Sequence, residues 1–166
     1  MQITLRPLEG ITIDDKFIQF GMSREEVTSI MGAGDVRHRH FYYDYELAID
    51  YDVNNAVSFI ELLSGLQGTL KPFIYGMSVF ERNADELFDI LKTNNGDKVD
   101  DNENGYSYVF QNISVGVYRT STPESVQRDI DEMKADGVYD QAYVDEELMK
   151  ANHWATIGLG KTDYYR

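Results

Sequence analysis

The chain has 166 residues, 29 of them acidic and 15 basic, and carries a formal net charge of -14 at pH 7. Its hydrophobic content of 42% is enough for a packed domain and excludes a disordered chain. The charge must therefore lie on the surface, where it repels nucleic acid and anionic membranes and attracts a basic protein, or serves solubility alone. No cysteine is present, which excludes disulfides, thiolate metal sites and cysteine nucleophiles.

Membrane signals are missing from the sequence. The first segment, MQITLRPLEGITIDD, has no apolar stretch behind a basic start, so no secretory signal peptide is predicted. No run approaches the roughly 18 apolar residues that a membrane-spanning helix needs. We therefore expect a soluble, cytoplasmic protein without a membrane partner.

A short amphipathic helix is predicted from Arg24 to about Met31. Ser23 and Glu26 have the spacing of a capping box, and apolar residues inside the segment recur at i, i+3 and i+4. The stretch that follows, residues 36–63, alternates apolar and polar residues around a turn at Asn54-Asn55. This pattern predicts three antiparallel strands.

The chain then repeats this order of elements. A second amphipathic helix follows Asn83, and two strand candidates come after it, Tyr106–Phe110 and Ile113–Arg119. The tripeptide Gly-Met-Ser precedes both helices. Because a helix on a sheet buries only one face of that sheet, two copies can complete a common core. We therefore predict an internal repeat of residues 14–64 and 70–120.

Residues 121–166 have a different pattern. Thr122-Pro123 is a helix start and Gly137 a helix stop, a further acidic helix follows, and the tail alternates as a strand does. We predict an α+β fold in a single domain, residues 1–166. Its two related halves each pack a short helical segment on an antiparallel sheet, and C-terminal helices and a final strand complete it.

The histidines offer one candidate metal site. On a strand, His38 and His40 lie on one face with the spacing of metal ligands, and Asp44 or the distant His153 are candidate further ligands. A metal-dependent enzyme or metal-binding domain would use these three histidines with carboxylates. The other interpretation of Arg37–His40 is a charged edge strand, which resists pairing with another sheet.

One acidic segment partly matches a calcium loop. Asp100, Asn102, Asn104 and Gly105 occupy positions 1, 3, 5 and 6, but Gln111 stands at position 12, where a bidentate glutamate belongs. Asn-Gly is also the strongest short hairpin signal, so the pattern favours a polar turn. We predict no cofactor and no bound metal.

Motifs of nucleophilic catalysis and nucleotide binding are missing. There is no G-x-S-x-G sequence, and the serines occupy cap and turn positions where their side chains serve the backbone. The glycines at 32–34 and 158–160 lack the strand, turn and helix that cradle a phosphate. We therefore expect a protein that is not an enzyme.

Tyrosines and carboxylates interleave from residue 42 to residue 52. A sheet face with this composition binds lysine or arginine by charge and by cation–π contact, whereas the same tyrosines can also simply cover the core. For the partner-binding interpretation, the predicted residues are Tyr42, Asp44, Glu46, Asp50 and Asp52.

A family resemblance rests on the residues FGMSREEVTSIMGAGD and FYYDYELAIDYDVNNAVSFIEL. They resemble the helix-plus-antiparallel-sheet repeat that occurs singly in small outer-membrane assembly lipoproteins and doubled in the β-lactamase inhibitor protein. The resemblance covers residues 17–63 and, more loosely, 73–119. Size and charge also resemble those of bacterial toxin-immunity proteins. These resemblances imply an immunity-type inhibitor of a basic toxin or enzyme; a housekeeping interaction module is the other binding alternative.

Overall fold

A computed structural model describes the whole chain, residues 1–166. The helices are α1 (Arg24–Met31), α2 (Ala84–Asn95), α3 (Pro123–Asp136) and α4 (Gln141–Ala151). The strands are β1 (Gln2–Arg6), β2 (Gly10–Ile13), β3 (Lys16–Gln19), β4 (Asp35–Val36), β5 (His40–Tyr42), β6 (Leu47–Tyr51), β7 (Val57–Leu62), β8 (Lys71–Ile74), β9 (Met77–Ser78), β10 (Ser107–Phe110), β11 (Val115–Tyr118) and β12 (Thr156–Gly160). None of the helices has the length and apolar character needed to span a membrane.

A five-stranded sheet with the order β3-β2-β1-β8-β9 is built largely from the N-terminus. Strands β1 to β3 form an antiparallel meander, whereas β1 and β8 run parallel. Along β1 the side chains alternate, so that Ile3 and Leu5 are buried and Thr4 is exposed. The three N-terminal strands were not among the predicted elements.

A seven-stranded sheet with the order β10-β11-β12-β7-β6-β5-β4 is antiparallel throughout. Strands β5, β6 and β7 confirm the three strands predicted within residues 36–63, and β12 confirms the predicted final strand. In β12, Ile157 pairs with Leu62 of β7 on one side and with Val117 of β11 on the other. The C-terminal strand therefore joins the β10–β11 hairpin to the strands of the first half.

The helix ends follow the capping signals of the sequence. Ser23 Oγ accepts a hydrogen bond from the Glu26 N–H (3.2 Å), and the Glu26 carboxylate accepts one from the Ser23 N–H (2.7 Å). Asn83 caps α2, and Gly96 ends it in the left-handed conformation, with φ 68°. Thr122 caps α3. These contacts confirm the predicted helix starts.

One hydrophobic core joins the two sheets and the first two helices. Its cluster of 26 buried residues includes the inner faces of both sheets together with Val27 of α1, Leu87 and Leu91 of α2, and Trp154. Helices α3 and α4 have a small cluster of their own. The mixed α+β class predicted from the sequence is confirmed by these four helices and two mainly antiparallel sheets.

The two predicted repeat units share their order of elements but differ locally. In each, a strand of the five-stranded sheet precedes a helix, which precedes strands of the seven-stranded sheet. The Gly-Met-Ser tripeptides have different structures, however. Ser23 caps α1 directly, whereas Met77 and Ser78 form β9 and the cap of α2 comes later, at Asn83. The internal repeat of residues 14–64 and 70–120 remains a prediction.

Candidate functional site

A cleft with a volume of about 420 Å³ opens beside the turn that joins β5 to β6. We call it the tyrosine cleft. Its walls come from β3, the end of α1, β4, β5 and that turn. The lining residues are Lys16, Met31, Ala33, Gly34, Asp35, Phe41, Tyr42, Tyr43, Asp44 and Tyr45.

The turn at the cleft has an unusual backbone. Tyr43, Asp44 and Tyr45 are three consecutive residues in the left-handed region, with φ of 52°, 51° and 68°. Residues other than glycine are disfavoured there by roughly 1–2 kcal/mol each, because Cβ approaches the following carbonyl oxygen. Such a conformation persists only where neighbouring contacts impose it, and it is often found at binding sites.

Glu46 supplies the contacts that hold this turn. Its N–H donates to the Tyr43 carbonyl (3.0 Å), which closes the turn. Its carboxylate accepts hydrogen bonds from the Thr69 N–H and hydroxyl (2.9 Å each), the Leu70 N–H (2.8 Å) and the Ser64 hydroxyl (3.1 Å). Glu46 therefore fastens the cleft to the segment before β8, and its carboxylate is committed to that role.

Arg37 contacts two of the residues that line the cleft, Tyr45 and Asp35. The Arg37 guanidinium carbon lies 5.2 Å from the centroid of the Tyr45 ring, and Arg37 Nε lies 3.4 Å from Asp35 Oδ1. The Tyr45 hydroxyl donates to the other oxygen of Asp35. This hydrogen bond, helped by Arg37, holds the pKa of Asp35 below its usual range. Ring and carboxylate together form a surface that fits a guanidinium.

The floor of the cleft is tightly packed and uncharged. Tyr42 is only 8% exposed, and burial raises the pKa of its phenol, so that it remains protonated at neutral pH. Gly34 lies directly against it, and a Cβ at this position would come within 2.8 Å of the Phe41 carbonyl oxygen and 2.9 Å of the Tyr42 ring. Charge is confined to the rim, where Asp44 is exposed.

Asp50 lies near the end of β6 and does not line the tyrosine cleft. It accepts hydrogen bonds from Arg39 Nε at 2.8 and 3.1 Å, while Arg39 Nη1 lies 2.5 Å from Glu61 Oε2. The guanidinium carbon of Arg39 lies 5.8 Å from the centroid of the Phe59 ring. Asp50 thus already has a cationic partner within the chain.

Asp52 is also engaged within the chain. Its carboxylate accepts from the N–H groups of Asn54 (2.9 Å) and Ala56 (3.2 Å) and from Lys161 Nζ (2.7 Å). The Lys161 bond, followed by the two backbone bonds, lowers the pKa of Asp52. This carboxylate shapes the turn between β6 and β7.

The five predicted partner-binding residues therefore do not form one exposed face. Tyr42 and Asp44 belong to the tyrosine cleft, whereas Glu46, Asp50 and Asp52 make internal contacts elsewhere. The correction has a physical cause. The prediction placed these residues on one face of a set of strands, but the left-handed turn between β5 and β6 takes Asp44 out of the strands.

Four cleft residues with polar side chains lay outside the predicted set: Lys16, Asp35, Tyr43 and Tyr45. Tyr43 and Tyr45 lie in the tyrosine-rich stretch of residues 42–52 that contains the predicted residues. The cluster of tyrosines at 42, 43 and 45 is the sequence signal that could have identified them. Lys16 and Asp35 come from β3 and β4, and no local pattern connects them to that run. They reach the cleft through the tertiary fold alone.

The histidines of the candidate metal site do not assemble. His38 lies in the turn between β4 and β5, so the strand spacing to His40 does not apply. His153 follows α4, with Nδ1 2.8 Å from the Met149 carbonyl oxygen. No group of three or more His, Cys, Asp or Glu side chains is arranged to hold a metal ion.

The calcium-like segment closes as a polar turn. The Gly105 N–H donates to Asp101 Oδ1 at 2.8 Å, and the Gln111 amide donates to the Asp100 carboxylate. Asn104 and Gly105 both adopt positive φ, of 50° and 86°. The Asp101 carboxylate thus supports the backbone of the turn, and the Asp100 carboxylate binds the Gln111 side chain.

Comparison with known proteins adds no functional assignment. No protein-family model matches the chain, and no curated protein or solved structure matches it either. The tyrosine cleft therefore has to be interpreted from its own geometry.

Proposed function

We propose that the protein is a non-enzymatic binding protein, an immunity-type inhibitor in the bacterial cytoplasm. Its tyrosine cleft would receive an arginine or lysine of a basic toxin or enzyme. The contact of Arg37 with Tyr45 and Asp35 is the observation that supports this proposal most. The chain binds one of its own guanidinium groups at the place where a partner's cation would enter.

The proposed mechanism is occlusion of the partner's functional surface. The net charge of -14 attracts a basic partner over distance, and the attraction is screened by salt. At the cleft, Asp44 is exposed and has no ion pair, so it is free to accept the incoming cation.

The proposed relation to the doubled repeat of the β-lactamase inhibitor protein has one structural support. Both halves of the chain run from a strand, through a helix, to antiparallel strands of a shared sheet. The tyrosine cleft lies at the β4–β5 edge of this sheet.

The double substitution Asp35→Asn and Asp44→Asn is expected to weaken binding of a guanidinium probe by about tenfold, because the two negative charges of the cleft are removed. The probe is N-acetyl-arginine methylamide, titrated into isotope-labelled protein and followed by NMR. In the unmodified protein we expect amide shift changes at residues 35 and 43–45. The citrulline analogue, which has the same shape without the charge, should cause none.

The matched control replaces Glu9 and Glu103 by glutamine. Both are exposed and without an ion pair, and the net charge changes by the same amount. Equal weakening in this control, or shift changes spread over the acidic surface, would show that the cleft has no specific role.

The inhibitory half of the proposal needs a separate assay. The chain is co-expressed with each product of its flanking genes in a growth test. Rescue of growth by the unmodified chain, and reduced rescue by the Asp35→Asn, Asp44→Asn variant, supports inhibition through the cleft. The absence of a toxic neighbour, or equal rescue by both chains, contradicts it.

A further inference from the structure

Helices α3 and α4 form a hairpin that projects from the domain. The two helices pack on each other through Val126, Val144 and Ala151, and no other helix or strand packs extensively on either of them. Helix α3 has 14 residues and is therefore about 21 Å long. Most of the hairpin surface is consequently open to solvent.

The hairpin is fastened at one end only. The Ala84 N–H donates to the Asn152 carbonyl (2.7 Å), and Arg119 Nη1 donates to the Ala151 carbonyl (2.7 Å). The Ser121 hydroxyl donates to Glu147 of α4. All three contacts lie at the end where the chain enters and leaves. The other end, at residues 137–140, has no contact of this kind with the domain.

The free end exposes apolar side chains. Val138 is 64% exposed, and Tyr143 on α4 is 42% exposed. Tyr139 lies next to Val138 and is exposed as well. Val138, Tyr143 and Met133 line a groove of about 440 Å³, and the exposed Tyr139 lies between the lining residues Val138 and Asp140 in the sequence. Grouped apolar side chains on a projecting element are typical of surfaces that bind another protein.

The same end is strongly acidic. Segment 123–151 has nine acidic and three basic residues, and thus a net charge of -6 (3 minus 9) within the -14 of the whole chain. Four carboxylates surround the apolar groove: Asp129, Glu132, Asp136 and Asp140. None of the four forms an ion pair within the chain. The groove thus combines an apolar floor with a negative rim.

We propose that this end of the hairpin is a docking surface for a basic amphipathic segment of a partner protein. Apolar side chains of the segment would enter the groove, and its lysines or arginines would meet the four rim carboxylates. Charge complementarity selects this occupant, since nucleic acid and a second copy of this chain are both negatively charged. The surface is separate from the tyrosine cleft, and the proposal does not depend on the function of that cleft.

The test uses synthetic helices and NMR of the full-length protein. The probe is an amphipathic peptide of leucine and lysine, about 14 residues long to match α3. A second peptide carries serine in place of leucine, and a third carries glutamate in place of lysine. We expect only the leucine-lysine peptide to bind, with amide shift changes concentrated in residues 129–143.

The substitutions Val138→Ser and Tyr139→Ser are expected to weaken binding of the leucine-lysine peptide by about tenfold, because apolar contact is lost. Both positions lie between the helices, so the helical packing is retained. The control replaces Leu8 and Tyr75 by serine; both are turn residues that are 41% exposed, and the affinity should stay within about twofold.

Several outcomes would overturn the proposal. Equal binding of the serine-lysine peptide would show attraction by charge alone. Shift changes spread beyond the hairpin, or unchanged affinity in the Val138→Ser, Tyr139→Ser variant, would place binding elsewhere. Self-association through residues 129–143 in sedimentation experiments without peptide would identify a second copy as the occupant.

Discussion

Replacing Glu46 by glutamine is expected to destabilise the protein by about 3 kcal/mol at pH 7, since several hydrogen bonds to a charged group are lost or weakened together. The carboxylate accepts from two backbone N–H groups and two hydroxyls of residues 64–70. A glutamine has one acceptor oxygen, and its amide nitrogen would face donors that it cannot satisfy.

The effect of Glu46 should depend on pH. Burial by itself would raise the pKa of this carboxyl, but the N–H groups of Thr69 and Leu70 hold it below 4.5. A depressed folded-state pKa gives stability that is present above the unfolded-state value and is lost as pH falls through the folded-state value. The difference between the two proteins should therefore be full at pH 7 and should shrink as pH falls through the folded-state pKa of Glu46.

Urea unfolding of both proteins at pH 7 and at pH 3 measures this difference. Glu9→Gln is the matched control, because Glu9 is exposed and its side chain has no partner within the chain. The tyrosine cleft gives a second readout. Amide hydrogen exchange at residue 46 should accelerate in Glu46→Gln, because its N–H closes the left-handed turn on the Tyr43 carbonyl and the contacts that impose the turn are weakened. A pH-independent difference, or unchanged exchange, contradicts the anchoring role of Glu46.

The elements that the sequence predicts correctly are those determined by interactions between residues close in the sequence. Helix α1 starts where Ser23 and Glu26 satisfy each other's backbone groups, and α2 ends at Gly96, which adopts positive φ without strain. The strands of residues 40–62 follow from apolar alternation and a short polar turn. In each case the deciding interactions span only a few residues.

For the N-terminal strands, a local sequence pattern does not determine which strands pair with each other. The alternation of Ile3, Thr4 and Leu5 suits a strand, but its partners are distant. Strand β1 pairs with the near strand β2 and also, in parallel, with β8 about 70 residues away. No rule of sequence spacing predicts that second pairing, because it depends on how the whole chain closes around the common core.

The candidate site was predicted only in part for a related reason. Tyr42 and Asp44 were recognised as partner-binding candidates, but Asp44 lies within a turn of three strained residues whose geometry is set by Glu46 and residues 64–70. The carboxylates at 50 and 52 looked free in the sequence, whereas Arg39 and Lys161 pair with them in the fold. Whether a carboxylate is free to bind a partner therefore depends on the tertiary structure.

Replacing Arg119 by methionine is expected to cost about 3 kcal/mol of stability, since two buried carbonyl groups lose their donor. Arg119 is 5% exposed, and it donates from Nε to the Gly105 carbonyl (2.8 Å) and from Nη1 to the Ala151 carbonyl (2.7 Å). Its guanidinium carbon also lies 5.0 Å from the centroid of the Trp154 ring. Methionine fills much of the space but provides neither donors nor charge.

The loss of Arg119 should also loosen the end of α4 locally. A general loss of stability would not produce this local effect. Because Arg119 fixes the end of α4, amide exchange in residues 148–152 should accelerate more than exchange in the β6–β7 pair, under conditions where the protein stays folded. Arg128→Met on α3 is the matched control, since Arg128 is exposed and unpaired; it should change stability by less than about 0.5 kcal/mol. Uniform acceleration across the domain would instead mean that Arg119 stabilises the core as a whole and does not specifically anchor the hairpin.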